Sequence, residues 1–380
     1  MKKIIAYSVA RSDLYRYYPI LNYLNKQKNI DLRIIASHLH YMNLFGKTYK
    51  NFLGEFKIEK RRTIKILRDN SISVIKKFSD ELNFFSQKIV SRKPDMVLVL
   101  GDRYEMLAPV IACIPNNIPV IHIFGGAVTV GAIDELVRHS ITKMSHLHLT
   151  AHKSYSERIK RMGEEKWRIK TIGMPDLKIL KSQKKLSITE LNKILKLNFK
   201  NKTLLVTLHP NLREKIKLNQ QIENLLQAIK KTNFQAIFTY PNSDLGYQRV
   251  IEKFKKFCSK SKKYRLIKFS SKKLYSNLLS NCVCMVGNSS SGIVEAASFK
   301  LPVVNLGIRQ DGKVKPKNII NIDFSQKNIF NSIRKGTSSK FKFSLKNLKN
   351  PYESNIGLKD ICNFITRKFD KKKLLLKNFE

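Results

Sequence analysis

Short apolar runs of strand length recur along the chain. They are KIIAYSV (3–9), DLRIIAS (31–37), DMVLVL (95–100), IPVIHIF (118–124), HLHLT (146–150) and WRIKTIG (167–173). A second series follows: TLLVTLH (203–209), QAIFTY (235–240), YRLIKF (264–269), VCMVG (283–287), PVVNLG (302–307) and NIINID (318–323). Segments of helical length and period separate most neighbours, such as NQQIENLLQAIKK (219–231) and SGIVEAASF (291–299). Strand–helix alternation predicts parallel sheets covered on both faces. Continuous rather than alternating apolar strands fit burial on both sides. The chain is therefore expected to be α/β, with two Rossmann-like doubly wound domains. The predicted boundary lies within GMPDLKIL (173–180), with residues 1–176 forming one domain and 177–380 the other. The terminal stretch KFDKKKLLLKNFE (368–380) is expected to be basic and partly helical, and to pack back on the first domain.

Composition agrees with a globular enzyme-sized chain: 380 residues, 42% hydrophobic and 27% charged. That length exceeds one ordinary core. The formal net charge of +45 raises nucleic acid as a partner. However, the lysines are spread evenly and no nucleic-acid motif accompanies them, so a solvated basic surface is expected instead. Five cysteines are an odd number, and the apolar stretch after Met1 is too short for a secretory leader. Both predict a reduced, cytoplasmic protein. No 18-residue apolar window predicts a membrane span.

Ligands of open parallel sheets bind beyond the carboxyl ends of the strands, so residues there are the candidates. After 283–287 come Asn288, Ser289, Ser290, Ser291 and Gly292. Small residues opening a helix suit a phosphate or diphosphate, and Glu295, expected one turn inside, suits a ribose diol. An ordinary serine N-cap at 290 or 291 explains the same residues equally well. After 95–100 come Asp102, Arg103 and Glu105. After 118–124, a glycine-rich turn leads to Asp134, Glu135, Arg138 and His139. Here Asp134 and Arg138 share a helix face and a salt bridge is expected. His209 ends the run 203–209, and Asn242 and Asp244 lie in the turn after 235–240. Arg11, Ser12 and Asp13 follow the first strand. His146 and His148 share a strand face without an evident carboxylate partner, so no metal site is expected. Cys282 and Cys284, spaced as in a strand, are expected on one side of it. No GxGxxG fingerprint marks the first turn, which argues against a nicotinamide cofactor.

The motifs GDRYE, HIFGGAVTVGAIDELVRHSITKMSHLH, TLHP, YPNSDLG and GNSSSGIVEAASFKLPVVNLGIRQDG occur in this order. Together they resemble the hydrolysing UDP-N-acetylglucosamine 2-epimerases, in the branch serving sialic-acid and legionaminic-acid pathways. The resemblance runs from about residue 4 to 325. It implies a GT-B-type architecture with an interdomain cleft, and a UDP-sugar substrate. UDP would leave by elimination and water would add with inversion at C2. No cofactor and no metal are implied. Asp102, Glu105, Asp134 and His209 would be catalytic. Arg11, Arg103, Arg138, His139, Asn242, Asp244, Asn288, Ser289, Ser290, Ser291, Gly292 and Glu295 would bind substrate. A homo-oligomer, dimer or tetramer, is expected. One departure stands out. Relatives carry an acid two residues after the leading His or directly after the Gly pair, where this chain has Phe124 and Ala127. Asp134 or Glu105 covers the role, the substrate differs, or binding persists without chemistry. A GT-B glycosyltransferase and a non-catalytic nucleotide-sugar binder are the alternatives.

Overall fold

Alternate residues of single strands face different cores. Leu204 and Val206 lie in one cluster with Ile222, Phe238 and Phe254, while Leu205 lies in another with Ile237, Met285 and Val303. Such strands cannot alternate apolar with polar, because both faces are covered. The computed structural model describes residues 1–42, 47–52, 54–59, 71–130, 133–242, 244–268 and 270–377, without the side chains of Arg11, Ser12, His38, Asn51, Phe52 and Ser71. It divides into two compact units. Unit 1 comprises Met1–Ala127, Ile133–Asp176 and Tyr352–Glu380, and unit 2 comprises Val128–Ala132 and Leu177–Pro351.

Unit 1 is built on a seven-stranded parallel sheet. Its strands are β1 (Lys2–Ser8), β2 (Ile30–Ala36), β3 (Lys57–Glu59), β4 (Met96–Leu100), β5 (Val120–Ile123), β6 (Leu147–Thr150) and β7 (Ile169–Thr171), in the order β3-β2-β1-β4-β5-β6-β7. The chain winds outward from β1 in one direction and returns to start again at β4. The β1/β4 junction is thus a topological switch point, where open α/β sheets place ligands. β3 is missed by the apolar pattern because it is three residues long and polar. Arg33, Lys88 and Arg92 all pair with its Glu59. The expected strand 167–173 is shortened by a 3₁₀ turn, Lys166–Arg168. Arg168 is turned to a different task, donating to the carbonyls of Lys373, Leu374 and Leu376 at the end of helix Lys371–Leu375. Lys377 Nζ reaches the Lys143 and Ser145 carbonyls and Glu164 Oε1 at 2.5–2.6 Å.

Unit 2 holds six parallel strands. They are β8 (Thr203–Thr207), β9 (Gln235–Thr239), β10 (Tyr264–Ile267), β11 (Cys284–Gly287), β12 (Val303–Leu306) and β13 (Ile319–Ile322), in the order β10-β9-β8-β11-β12-β13. Its switch point is β8/β11. Position 287 must be glycine: with φ +138°, a Cβ there would stand 1.8 Å from the Thr207 carbonyl oxygen of β8. The two cysteines expected on one side of a strand are separated instead. Cys282 caps helix Lys272–Asn281 and joins one core, while Cys284 begins β11 and joins the other. Strand period does not apply across a helix end.

Candidate functional site

In unit 1, the candidates gather at the β1/β4 switch point and on helix Asp134–Met144 beside it. Arg138 is 1% exposed and acts as a hub. It pairs with Asp102, donates to Glu135 Oε2 at 3.0 Å and donates to the Ala127 carbonyl at 2.9 Å. Burial works against its charge, but Asp102, Asp134 and Glu135 outweigh burial and raise its pKa. Arg138 thus pairs with Asp102 and Glu135, and Asp134, at the first helical position, adds its charge to the same cluster. Glu135 Oε1 also bonds His139 Nε2 at 2.9 Å. Arg103 donates to Glu105 Oε1 at 3.1 Å, and Glu105 is only 1% exposed. Glu105 therefore lies beneath the strand-end surface. Arg11 is the first residue of helix Arg11–Asn25, and its side chain lies outside the described residues, as does Gly131.

His122 on β5 anchors the turn that carries Asp102. Its Nε2 donates to the Gly101 carbonyl at 2.7 Å, and its Nδ1 meets Thr142 Oγ1 at 3.1 Å. Burial pushes its pKa down to about 3, so it stays neutral and keeps this tautomer. The glycines after β5 serve packing as well as turning. A Cβ on Gly125 would meet His122 at 2.6 Å, and one on Gly126 would meet the Tyr155 carbonyl at 2.5 Å. Phe124 between them and β5 is buried with φ +65°, a left-handed conformation uncommon for an aromatic residue.

In unit 2, Asn288 ties the switch point together. It is fully buried. Its Oδ1 accepts the His209 N–H at 2.7 Å, and its Nδ2 donates to the His209 carbonyl at 2.9 Å. Its own carbonyl accepts from Gln310 Nε2 at 2.8 Å and Arg309 Nη1 at 3.3 Å. Arg309 Nη2 also lies 3.5 Å from Asp244 Oδ2. The Asn242 backbone N–H donates to His209 Nδ1 at 3.0 Å. A neutral His209 must therefore carry its proton on Nε2, which makes that nitrogen a donor. Arg309 and Gln310 were not among the expected site residues. Their loop is held by Glu214, whose Oε1 accepts from Ile308 N at 2.7 Å and Asn211 Nδ2 at 3.0 Å.

The serine stretch differs from expectation in two details. The N-cap is Ser289, which accepts from Ser291 N, while Ser291 Oγ contacts the Tyr275 hydroxyl. The helix is only Ser290–Val294, followed by a 3₁₀ turn, Ala296–Phe299. Glu295 therefore ends the helix rather than lying within it, and is 8% exposed. Gly292 has a packing reason, since a Cβ there would meet Val303 Cγ1 at 2.9 Å.

The histidines of HLHLT are structural. His146 Nδ1 accepts from Val120 N at 3.1 Å, and burial pushes its pKa down to about 4. His148 Nε2 lies 3.1 Å from Glu164 Oε2 without hydrogen-bond alignment. Among the described residues, no three His, Cys, Asp or Glu side chains are grouped to hold a metal ion. No helix among them is long and apolar enough to cross a membrane.

The chain is similar to known proteins in sequence and in fold. The chain is 36% identical over 326 residues to the GDP/UDP-N,N'-diacetylbacillosamine 2-epimerase (hydrolyzing) of Campylobacter jejuni, covering 85% of each chain. It is 31% identical over 349 residues to the UDP-N-acetylglucosamine 2-epimerase of Neisseria meningitidis, covering 89% of this chain and 88% of that one. The solved UDP-GlcNAc 2-epimerase of Neisseria meningitidis bound to UDP-GlcNAc has the same fold, with TM-score 0.76, 18% identity, and coverage of 97% and 100%. Residues 22–366 match the family model described as UDP-N-acetylglucosamine 2-epimerase, and the chain belongs to that family.

Proposed function

We propose that the protein is a hydrolysing 2-epimerase of a UDP-activated N-acetyl amino sugar. UDP is eliminated from C1, water is added, and a free 2-epimeric sugar is released. The observation that carries this reading is the lattice around Asn288. It holds His209, Arg309 and Gln310 together at one switch point in unit 2. A five-residue helix has little macrodipole, so the diphosphate cradle rests on discrete donors: the Ser290 and Ser291 hydroxyls, the N–H groups near Gly292, His209 Nε2–H and the Arg309 guanidinium. His209 is thereby a diphosphate ligand that stabilises the leaving group, not a base. Asp244 steadies Arg309, and Asn242 and Asn288 steady His209. Glu295 takes the ribose hydroxyls.

In unit 1, Asp102 is the half-buried carboxylate at the β4 end. It is set by Arg138 and, through Gly101, by His122. Asp134, Glu135 and His139 shape the charge around Arg138. Glu105 and Arg103 act beneath this surface. UDP-GlcNAc, giving N-acetylmannosamine, is the first substrate to test. The 2,4-diacetamido-6-deoxy analogue is the second, favoured by relatives named for N,N'-diacetylbacillosamine. The protein works in the cytoplasm as a homo-oligomer on this reading, consistent with five unpaired cysteines.

Release of UDP from each candidate sugar, followed by chromatography, tests the activity, and unreacted substrate in every case would refute it. Glu295→Ala should weaken UDP binding about 10- to 100-fold, as expected for losing hydrogen bonds to a charged group worth about 1.5–3 kcal/mol. Calorimetric titration with UDP measures this. Unchanged affinity would leave Glu295 as a structural residue of the 3₁₀ turn.

A further inference from the structure

The two residues that leave the chain without its expected acid, Phe124 and Ala127, direct attention to the other carboxylates at the β1/β4 switch point. Asp13 sits three residues into helix Arg11–Asn25, directly after β1, and its Oδ2 accepts the Ala10 N–H at 3.0 Å. Glu105 follows β4, which pairs with β1. Arg103 is bonded to Glu105 and also acts electrostatically on Asp13. Glu105 Oε2 is buried without a hydrogen bond among the described residues, as is the Tyr17 hydroxyl one turn beyond Asp13. Asp13 retains 8% of its surface while Glu105 retains 1%, so Asp13 is the member of this pair nearer the surface.

We propose that Asp13, fixed by the Ala10 N–H just after β1, with Glu105 and Arg103 following the neighbouring strand β4, is a proton-transferring carboxylate of this protein, standing in for the acid that positions 124 and 127 lack. The proposal rests on the epimerase reading. In the elimination, Asp13 takes the proton from C2. The electrons of the C2–H bond form the C1=C2 double bond, and those of the C1–O bond leave with the diphosphate oxygen of UDP. In the hydration, water oxygen bonds C1 and a solvent-derived proton bonds C2 on the opposite face. Asp13 returns its proton to solvent.

The electrostatic setting supports this role. Burial pushes the Asp13 pKa up to about 6, with Arg103, the Ala10 N–H and Arg16 opposing and Glu105 adding. The Tyr17 and Tyr104 hydroxyls feel the charges of the same cluster. Their pKa values are raised by burial first, then by Asp13 for Tyr17 and by Glu105, and more weakly by Glu81, for Tyr104. A carboxylate titrating near working pH is suited to accept and release a proton in each turnover.

A simple helix cap is the competing account, and Asp13→Asn separates the two. Asparagine keeps an oxygen for the Ala10 N–H but cannot ionise. The proposal expects kcat for UDP release to fall about 10²- to 10⁴-fold, with KM within about threefold and partial rescue by Asp13→Glu. The wild-type kcat should decline as pH drops through about 6, and this limb should be absent from the residual activity of Asp13→Asn. Stability should move the opposite way. A folded pKa above the unfolded one means that ionisation between about pH 4 and 6 disfavours the folded state. Asp13→Asn should therefore melt higher than wild type at pH 7.5 and not at pH 4. Turnover within threefold of wild type with the same pH profile would overturn the proposal. So would a variant that melts lower at every pH and loses kcat in proportion. If wild type itself releases no UDP, the epimerase reading fails and this role with it. Failure confined to Asp13→Asn leaves that reading standing.

Discussion

Asn288→Ala should cost unit 2 about 3–4 kcal/mol and lower UDP affinity at least about 100-fold. The stability loss follows from two buried backbone groups, the N–H and C=O of His209, losing their partners together. Each unsatisfied buried group costs about 1–3 kcal/mol. The affinity loss follows because the same side chain sets the His209 backbone and with it the direction of His209 Nε2. Asn288→Asp should fall between. Its carboxylate still accepts from His209 N but faces the His209 carbonyl with no donor, and its charge opposes a diphosphate. Urea unfolding and UDP titration measure both effects. A stability change below about 1 kcal/mol for Asn288→Ala would remove the bridge from the account.

Arg138→Met should abolish most turnover while leaving UDP binding intact, because Arg138 belongs to unit 1. Removing one partner of a buried ion pair costs about 3–5 kcal/mol. Here the carboxylates of Asp102 and Glu135 are 32% and 25% exposed, so solvent reduces that to about 2–3 kcal/mol. kcat should drop at least about 100-fold, since Asp102 loses the cation that fixes it. Arg138→Lys should restore little. A single ammonium cannot serve Asp102, Glu135 and the Ala127 carbonyl from one planar fork. Steady-state kinetics beside UDP titration decide the matter, and a fall in UDP affinity equal to the loss of kcat would argue against this division of labour.

The fold was legible because doubly wound sheets write themselves as repeated apolar runs. The runs at 95–100 and 203–209 became β4 and β8 with ends shifted by a residue or two. β3 escaped because an edge strand with polar neighbours carries no apolar signal. The positions of Asp102, Arg103, His209 and Asn288 followed from one rule, that ligands gather beyond strand ends. Their partners did not follow. Asn288 meets Arg309 across 21 positions, and Asp102 meets Arg138 across 36. No periodicity links such pairs, whereas the charge of Asp134 beside Arg138 was open to a helical reading. The helix expected through Glu295 failed for a local reason. Gly292 draws the turn against β12, and the chain tightens to 3₁₀ before Lys300 takes φ +53°.

The central claim is that elimination and hydration occur at C1 and C2 of a UDP-sugar. Proton NMR in deuterated water tests it most directly, with UDP-GlcNAc and UDP-2,4-diacetamido-2,4,6-trideoxyglucose in parallel. The account predicts free UDP together with a free 2-epimeric sugar carrying deuterium at C2 from one of them. UDP released with the original C2 proton and configuration retained would mean simple hydrolysis, and intact substrates in both tubes would mean no such chemistry. Either result would contradict it.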